Sequence, residues 1–384
     1  MAEIEVSIVM PCLNEERSIG WCVKRSLQAI RKLGVSGEVV VSDNGSTDRS
    51  REIARRLGAR VVRQPKRGYG NAYLKGLSEA RGKYIMMADS DKTYDFLDIE
   101  KFINPLRHEK YDMVMGSRLK GKIMPGAMPW LHQHIGNPVL SWFLNVLFHT
   151  GLSDAHCGQR AFTKKAFEKM HLKTGGMEFA SEMVINASKA KLKIKEVPIT
   201  YYANKNRRPH LRSFRDGWRH VRFMLLYSPF HLFFIPGIIL MALGIALLAV
   251  LSTMSIVIGK VSLGPISAVL GSLLTIIGFQ AILLGYFAKL AYSRISPFDA
   301  KLKGVLSWLD RMLTFERGLV IGSAFFIIGI AINSFLLFEW VEKGLGELTM
   351  RDGAIAVSAL TIIVFGAQIA FSSFLANIIK MDMQ

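Results

Sequence analysis

The sequence predicts an α/β domain built on a mostly parallel sheet, followed by an α-helical membrane domain of four transmembrane helices. Three observations predict it. Up to about residue 225, short β-rich runs alternate with segments of helical spacing. Beyond that point, four long stretches carry no Asp, Glu, Lys or Arg. The hydrophobic share of the 384 residues is 50%, more than an ordinary soluble domain carries.

The strands come first. Ile4–Met10 reads as a strand stopped by Pro11, and Glu38–Val41, Arg60–Val62, Tyr84–Ala88 and Asp112–Met115 follow it. Glu16–Leu33 and Asp48–Leu57 have helical spacing, and Ser46-Thr47-Asp48 offers N-cap chemistry to the second helix. Such alternation implies a sheet covered on both faces, with ligands at the carboxyl ends of its strands. Those ends are polar: Pro11 to Glu16, Asp43-Asn44, Asp89-Ser90-Asp91 and Gly116-Ser117-Arg118. Their convergence is the strongest physical pointer to a site.

The uncharged stretches are Phe230–Gly259, Val261–Ala288, Gly318–Phe338 and Gly353–Ile379. About 20 apolar residues cross a bilayer as a helix. Spans are expected at about 231–252, 266–288, 318–338 and 355–379. Core helices of a soluble domain are the rival reading, but four such runs would leave no polar face for water. The link after the second span holds Lys289, Arg294, Lys301, Lys303, Arg311 and Arg317, whereas the first link holds only Lys260. The positive-inside rule therefore puts the middle link in the cytoplasm, and both termini with it. The opening residues run straight into a strand pattern with no leader, so the first domain is expected in the cytoplasm and the protein in the cytoplasmic membrane.

The division expected is a catalytic domain over 1–210, a basic amphipathic interfacial helix over 211–228 and a membrane domain over 229–384. In the middle segment Leu211, Phe214, Trp218 and Val221 share a face, with Arg212, Arg215, Arg219 and Arg222 around them. Ile135–Phe148, with Trp142, is a second candidate for the membrane surface, or equally a buried helix. Net charge is +19, from 49 Lys and Arg against 30 Asp and Glu. Much of that charge flanks the spans, which favours lipid or phosphate over nucleic acid. Cys12, Cys22 and Cys157 form no metal or disulfide spacing and read as reduced thiols.

Asp89 and Asp91 could together hold a divalent cation, Mg²⁺ or Mn²⁺, that grips a diphosphate. A solvated acidic turn is the bland alternative. Asp43 could accept from a base or ribose, or simply close a turn. Arg67-Gly68-Tyr69-Gly70-Asn71 looks like a phosphate cradle entering a helix. Arg118 and Arg160 have the shape for phosphate, as do Lys205, Arg207 and Arg208, although the last three also suit lipid headgroups.

The ordered set Ser7 to Pro11 with Asn14-Glu15, Asp43 to Asp48, Asp89-Ser90-Asp91, Gly116-Ser117-Arg118 and Gly158-Gln159-Arg160 resembles the family 2 inverting glycosyltransferases of GT-A fold. More narrowly it is similar to the polyprenyl-phosphate (dolichyl-phosphate mannose or glucose) synthases, over roughly residues 4 to 225. The resemblance implies that Pro11, Asn14, Glu15, Asp43 and Asp89 bind a nucleotide sugar, to which the glycine-rich turn adds Gly68 and Asn71 as candidates. It implies that Asp89 and Asp91 hold the metal and that Arg118 and Arg160 meet the acceptor phosphate. Relatives often have Ala where Ser90 stands. They carry a second Arg where this chain has Leu131-His132-Gln133-His134, making His132 and His134 the expected substitutes. Pro209-His210-Leu211 replaces a Ser-Lys-Leu of relatives, leaving Lys205, Arg207 and Arg208 as stand-ins. The Gln-x-x-Arg-Trp pattern of processive synthases is absent, which implies a single transfer.

The expected reaction is inverting transfer from a nucleotide sugar to polyprenyl phosphate, with UDP-glucose preferred to GDP-mannose from the resemblance. One rival is transfer to a hydroxyl, with Asp91 or Glu178 as base. Another is a non-catalytic scaffold or flippase partner. Homo-oligomer formation is left open.

Overall fold

The structure, a computed structural model, describes residues 3–204, 213–253, 256–258, 261–263, 265–295, 298, 304–346 and 349–381. The chain divides into two compact units, Met1–Met224 and Leu225–Gln384.

The first unit runs β1 (Val6–Cys12), α1 (Ile19–Leu33), β2 (Gly37–Asp43), α2 (Ser50–Arg56), β3 (Arg60–Arg63), α3 (Tyr69–Glu79) and β4 (Tyr84–Met87). It continues with α4 (Ile99–His108), β5 (Met113–Ile123), α5 (Asn137–Phe148), β6 (Arg160–Thr163), α6 (Lys164–Met170), α7 (Phe179–Lys189), β7 (Ile194–Tyr201) and α8 (Ser213–Leu226). The seven strands form one sheet in the order β3-β2-β1-β4-β6-β5-β7. Only β6 is antiparallel to its neighbours; every other pairing is parallel. This is the mostly parallel, Rossmann-like GT-A sheet. Ile8, Met10, Val39, Val41 and Met86 pack on α1 and α4 through Val23, Ile30, Phe102 and Ile103, all buried. The strands are buried because helices cover both faces, so they read as continuous apolar runs.

Several local readings change. Pro11 does not stop β1, which continues in register to Cys12 opposite Asp43. α2 starts at Ser50, after the cap chemistry expected of Ser46 to Asp48. β5 does not end at Arg118 but runs on to Ile123, with an irregularity between Ser117 and Lys122. β6 and β7 are invisible to pattern: β6 has four residues and begins with a buried Arg, and β7 contains Pro198. Proline is tolerated there because β7 is an edge strand paired only with β5.

α8 is amphipathic. Trp218 is 59% exposed, as is Leu226, and Arg222 between them is exposed too. Met224 is buried. On α5 one side, including Leu144 and Leu147, is buried, while Val139, Trp142 and Val146 form an exposed apolar row.

The second unit contains α9 (Ile235–Thr253), a small hairpin of β8 (Ile256–Ile258) and β9 (Val261–Leu263), then α10 (Pro265–Ile295), α11 (Val305–Met312), α12 (Phe315–Glu342) and α13 (Met350–Met381). Four helical segments are long and apolar enough to cross a membrane: Phe230–Thr253, Ile266–Ser293, Phe315–Glu342 and Met350–Lys380. Only 11% to 33% of each is buried. Core helices of a soluble domain would be covered, so these apolar surfaces need lipid. Glycines seam the helix pairs. A Cβ on Gly322 would lie 2.6 Å from Gly366 O, and one on Gly278 2.6 Å from Gly237 O. Small residues let membrane helices approach this closely. Asp310 on α11 accepts from Tyr286 Oη of α10 at 2.7 Å and pairs with Lys380 of α13 at 2.8 Å.

Candidate active site

The carboxyl ends of β1, β2 and β4 are knitted together by short polar side chains. Asn14, at a positive φ of 59°, donates its amide N–H to Ser46 Oγ at 3.0 Å. Its Oδ1 accepts from Thr47 N at 2.8 Å. Glu15 N donates to Ser50 Oγ at 2.8 Å, and Glu16 N to Asp48 Oδ2 at 3.0 Å. Asp43 is buried and accepts from Ser46 N at 3.0 Å. Asn14, Glu15 and Glu16 therefore brace the β1 loop against the β2 loop, whose own turn Asp43 closes. The Ser46 side chain is one such brace, and Asp48 both receives Glu16 N and accepts from Ser50 N, the first amide of α2, at 3.0 Å. Ser90 Oγ donates to Pro11 O at 2.6 Å, tying the end of β4 to the end of β1. The middle residue of Asp89-Ser90-Asp91 thus has a structural task that alanine could not perform.

The two aspartates are fixed individually. Asp89 Oδ1 accepts from Tyr69 Oη at 3.0 Å and Tyr73 Oη at 3.1 Å, both from α3. Burial first, and then the Asp89 charge, holds both phenols well above their ordinary pKa, so they remain donors. Asp91 is 8% exposed, and its Oδ1 accepts from the backbone and hydroxyl of Thr93. A Cβ on Gly158 would sit 3.0 Å from Asp89 Oδ2, so a glycine keeps that side of the carboxylate uncrowded. No cluster of three His, Cys, Asp or Glu occurs among the described residues. Two hard carboxylates suit an ion that completes its shell with substrate phosphate and water. Tyr69 and Tyr73 were not evident as site residues, although their four-residue spacing on a helix was a usable signal.

The glycine-rich turn does not have the form of a phosphate cradle. Gly68 N donates to Asn44 Oδ1 at 2.8 Å, Gly70 N to Gly176 O at 3.2 Å and Asn71 N to Gly175 O at 3.0 Å. Three of the turn's amides are thus already engaged within the protein. The glycines serve close approach instead: a Cβ on Gly68 would lie 2.3 Å from Gly175 O, and one on Gly70 2.1 Å from Thr174 O. Glu182, which sequence reasoning missed, fixes the opposing segment by accepting from Lys173 N at 3.0 Å and Thr174 N at 2.8 Å.

The acceptor-side candidates separate. Arg118 is held by buried Asp154, through Nε at 2.7 Å and Nη2 at 2.7 Å, and lies over Tyr201. Burial works against its charge, but Asp154 prevails and its pKa is raised well above the usual range. Arg160 is fully buried and donates to three backbone carbonyls, of Cys157, Ala180 and Ala155. It braces β6 against α7, and a direct phosphate contact is not its geometry. His132 and His134 lie on an irregular turn of helix, where His134 packs on Trp130 at 5.0 Å. Lys205, Arg207 and Arg208 lie outside the described residues. Glu178 pairs with Arg219 of α8 at 3.3 Å. All three cysteines are free and buried, and burial raises the thiol pKa to about 11 at Cys12 and about 12 at Cys22 and Cys157.

Residues 7–170 match the glycosyl transferase family 2 domain, and residues 287–380 match the family 2 C-terminal transmembrane region. The chain is 43% identical over 373 residues to the low-salt glycan biosynthesis hexosyltransferase Agl6 of Haloferax volcanii, covering 96% of this chain and 88% of that one. A dolichyl-phosphate hexose transferase from the same organism is 31% identical over 199 residues, 51% of this chain and 82% of that one. Among solved structures, glucosyl-3-phosphoglycerate synthase from Mycobacterium tuberculosis is similar at 23% identity, over 59% of this chain and 80% of that one, with a TM-score of 0.47.

Proposed function

This chain belongs to glycosyltransferase family 2, and we propose that it moves a hexose from a nucleotide diphosphate sugar onto a polyprenyl phosphate, with inversion at the anomeric carbon. The observation that carries the proposal is the placing of Asp89 and Asp91 at the carboxyl edge of the sheet, in a chain with four membrane-crossing helices. The names of the relatives, a hexosyltransferase and a dolichyl-phosphate hexose transferase, support the hexose and the lipid phosphate. UDP-glucose remains preferred to GDP-mannose, on family resemblance.

The roles assigned are these. Pro11, Asn14, Glu15 and Asp43 shape the nucleotide side, mostly by bracing the loops at the ends of β1 and β2. Asp89 and Asp91 would hold Mg²⁺ or Mn²⁺, which neutralises the leaving diphosphate when bound. Tyr69 and Tyr73 keep Asp89 oriented. Arg118, locked by Asp154 on two nitrogens, offers Nη1 to the acceptor phosphate. That phosphate has a second pKa of about 6, like a phosphorylated side chain, and is mostly ionised near neutrality. A lipid phosphate needs no general base, so positioning and electrostatics suffice. Glu178, engaged with Arg219, is then not required as a base. The exposed row of α5 and Trp218 of α8 suit the headgroup layer, where aromatic side chains settle.

The test is transfer of labelled sugar from nucleotide donor to polyprenyl phosphate by the full-length protein. Asp91→Ala should lower turnover by at least about 100-fold, as loss of a preorganised charged group does. Product formed on a polyprenol hydroxyl but not on the phosphate would support the hydroxyl-acceptor rival. No transfer to either, with lipid binding intact, would support a non-catalytic role.

A further inference from the structure

The membrane unit presents an amide to lipid. Gln280 lies midway along the Ile266–Ser293 segment of α10, at the depth of the bilayer core, and is exposed. Other polar side chains of α10 are paired inward. Ser272 meets Thr361 of α13 at 2.7 Å, and Thr275 Oγ1 donates to Gly271 O at 2.7 Å. Gln280 is only half served. Its Oε1 accepts from Gln368 Nε2 of α13 at 3.0 Å. Its own N–H donors meet no acceptor among the described residues. Hydrocarbon offers a polar group nothing in exchange for lost water, so such a group belongs against protein.

The strip around it has the form of a helix seam. Ile266, Leu270, Leu273, Ile277, Gln280 and Leu284 follow one another at alternating steps of four and three residues, and all are exposed. This is the a/d spacing of a coiled coil, in which apolar side chains pack and a single polar residue fixes register and partner number. The strip carries no charge that would call for a partner of opposite sign. An amide carries both halves of its own complement, N–H and C=O. Copies of one chain share an orientation in the membrane. A twofold axis along the membrane normal therefore sets α10 parallel to α10, with Gln280 facing Gln280. Each Nε2–H then donates to the opposite Oε1, which has a second lone pair open beyond the bond from Gln368. Both exposed amides are served by the same contact.

We infer that the exposed face of α10 is the contact surface for a second copy of this chain, with Gln280 hydrogen-bonded to its counterpart near the bilayer midplane. The inference depends on the spans and on nothing in the catalytic unit.

The test uses full-length protein in lipid vesicles. Ile277→Cys and Leu284→Cys, oxidised with copper phenanthroline, should each give a disulfide-linked dimer. Val320→Cys, on an exposed face of α12, should not. The native thiols are buried. Association is then followed by energy transfer between labelled copies over a series of lipid dilutions. Gln280→Leu should weaken it about tenfold, the loss of two interhelical hydrogen bonds in lipid, and Gln280→Asn should keep most of it. Gln368→Leu removes the internal bond but leaves the seam, and should associate as wild type. The assignment is overturned if Gln280→Leu associates as wild type, or if Gln368→Leu weakens association as much, which marks the amide pair as an internal clamp. Monomers at every dilution overturn it too, as does crosslinking from Val320→Cys and not from Ile277→Cys.

Discussion

Asp89 has two phenols on one carboxylate oxygen, and this arrangement makes the tyrosines of α3 part of the site. Tyr69→Phe removes one hydrogen bond to a charged group. Sugar transfer should fall about tenfold, since such bonds contribute roughly 1.5–3 kcal/mol. Tyr73→Phe should do the same and also lower thermal stability, because Tyr73 is fully buried and stacks on Phe179. His156 gives a pH signature independent of activity. Lost hydration, then His220, Arg160 and Arg118, holds its pKa well below the ordinary histidine value. The unfolded chain therefore takes up the proton first as pH falls. This contribution to stability is complete above the unfolded value, roughly 6.5, and is lost below it by at most about 1.4 kcal/mol per pH unit. Thermal melts at pH values on either side of it should show the slope in wild type, and His156→Gln should flatten it.

Among the elements, the turn entering α3 and the 173–176 segment are pressed together too tightly for a side chain between them. Gly70→Ala would place a methyl 2.1 Å from Thr174 O. Overpacking against backbone costs about 1–3 kcal/mol, so a melting-temperature drop is expected, with transfer impaired through displaced Tyr69. The membrane helices obey the same constraint. Gly322→Leu should separate α12 from α13, where an added Cβ would lie 2.6 Å from Gly366 O. Melting in detergent should show the loss, and a leucine on the exposed Val320 should leave it unchanged.

For the whole molecule, the basic link between α10 and α12 predicts which side of the membrane each end of α12 occupies. Ser307→Cys should be labelled by an impermeant thiol reagent from the catalytic-domain side, and Glu342→Cys only from the other. The three native thiols are buried and should contribute little background. Labelling of both positions from one side would sink the four-span topology.

By itself the sequence determined the α/β class, the four spans and the placing of polar residues at the strand ends. Those features are written in local periodicity and composition, which burial and lipid impose residue by residue. It also marked Asp89 and Asp91, because a carboxylate pair beyond an apolar strand is a local pattern. Only the tertiary structure decided which polar residues are spent. Asn14 is engaged by Ser46, and the Gly68, Gly70 and Asn71 amides by Asn44, Gly176 and Gly175, all at least 24 residues away, while Asp43 closes its own turn through Ser46. Arg160 proved to be a brace, and Tyr69 and Tyr73 supports for Asp89. Hydrogen bonds between distant segments leave no periodic trace in a chain. Whether a polar group is satisfied or poised for a ligand is settled only when the segments meet.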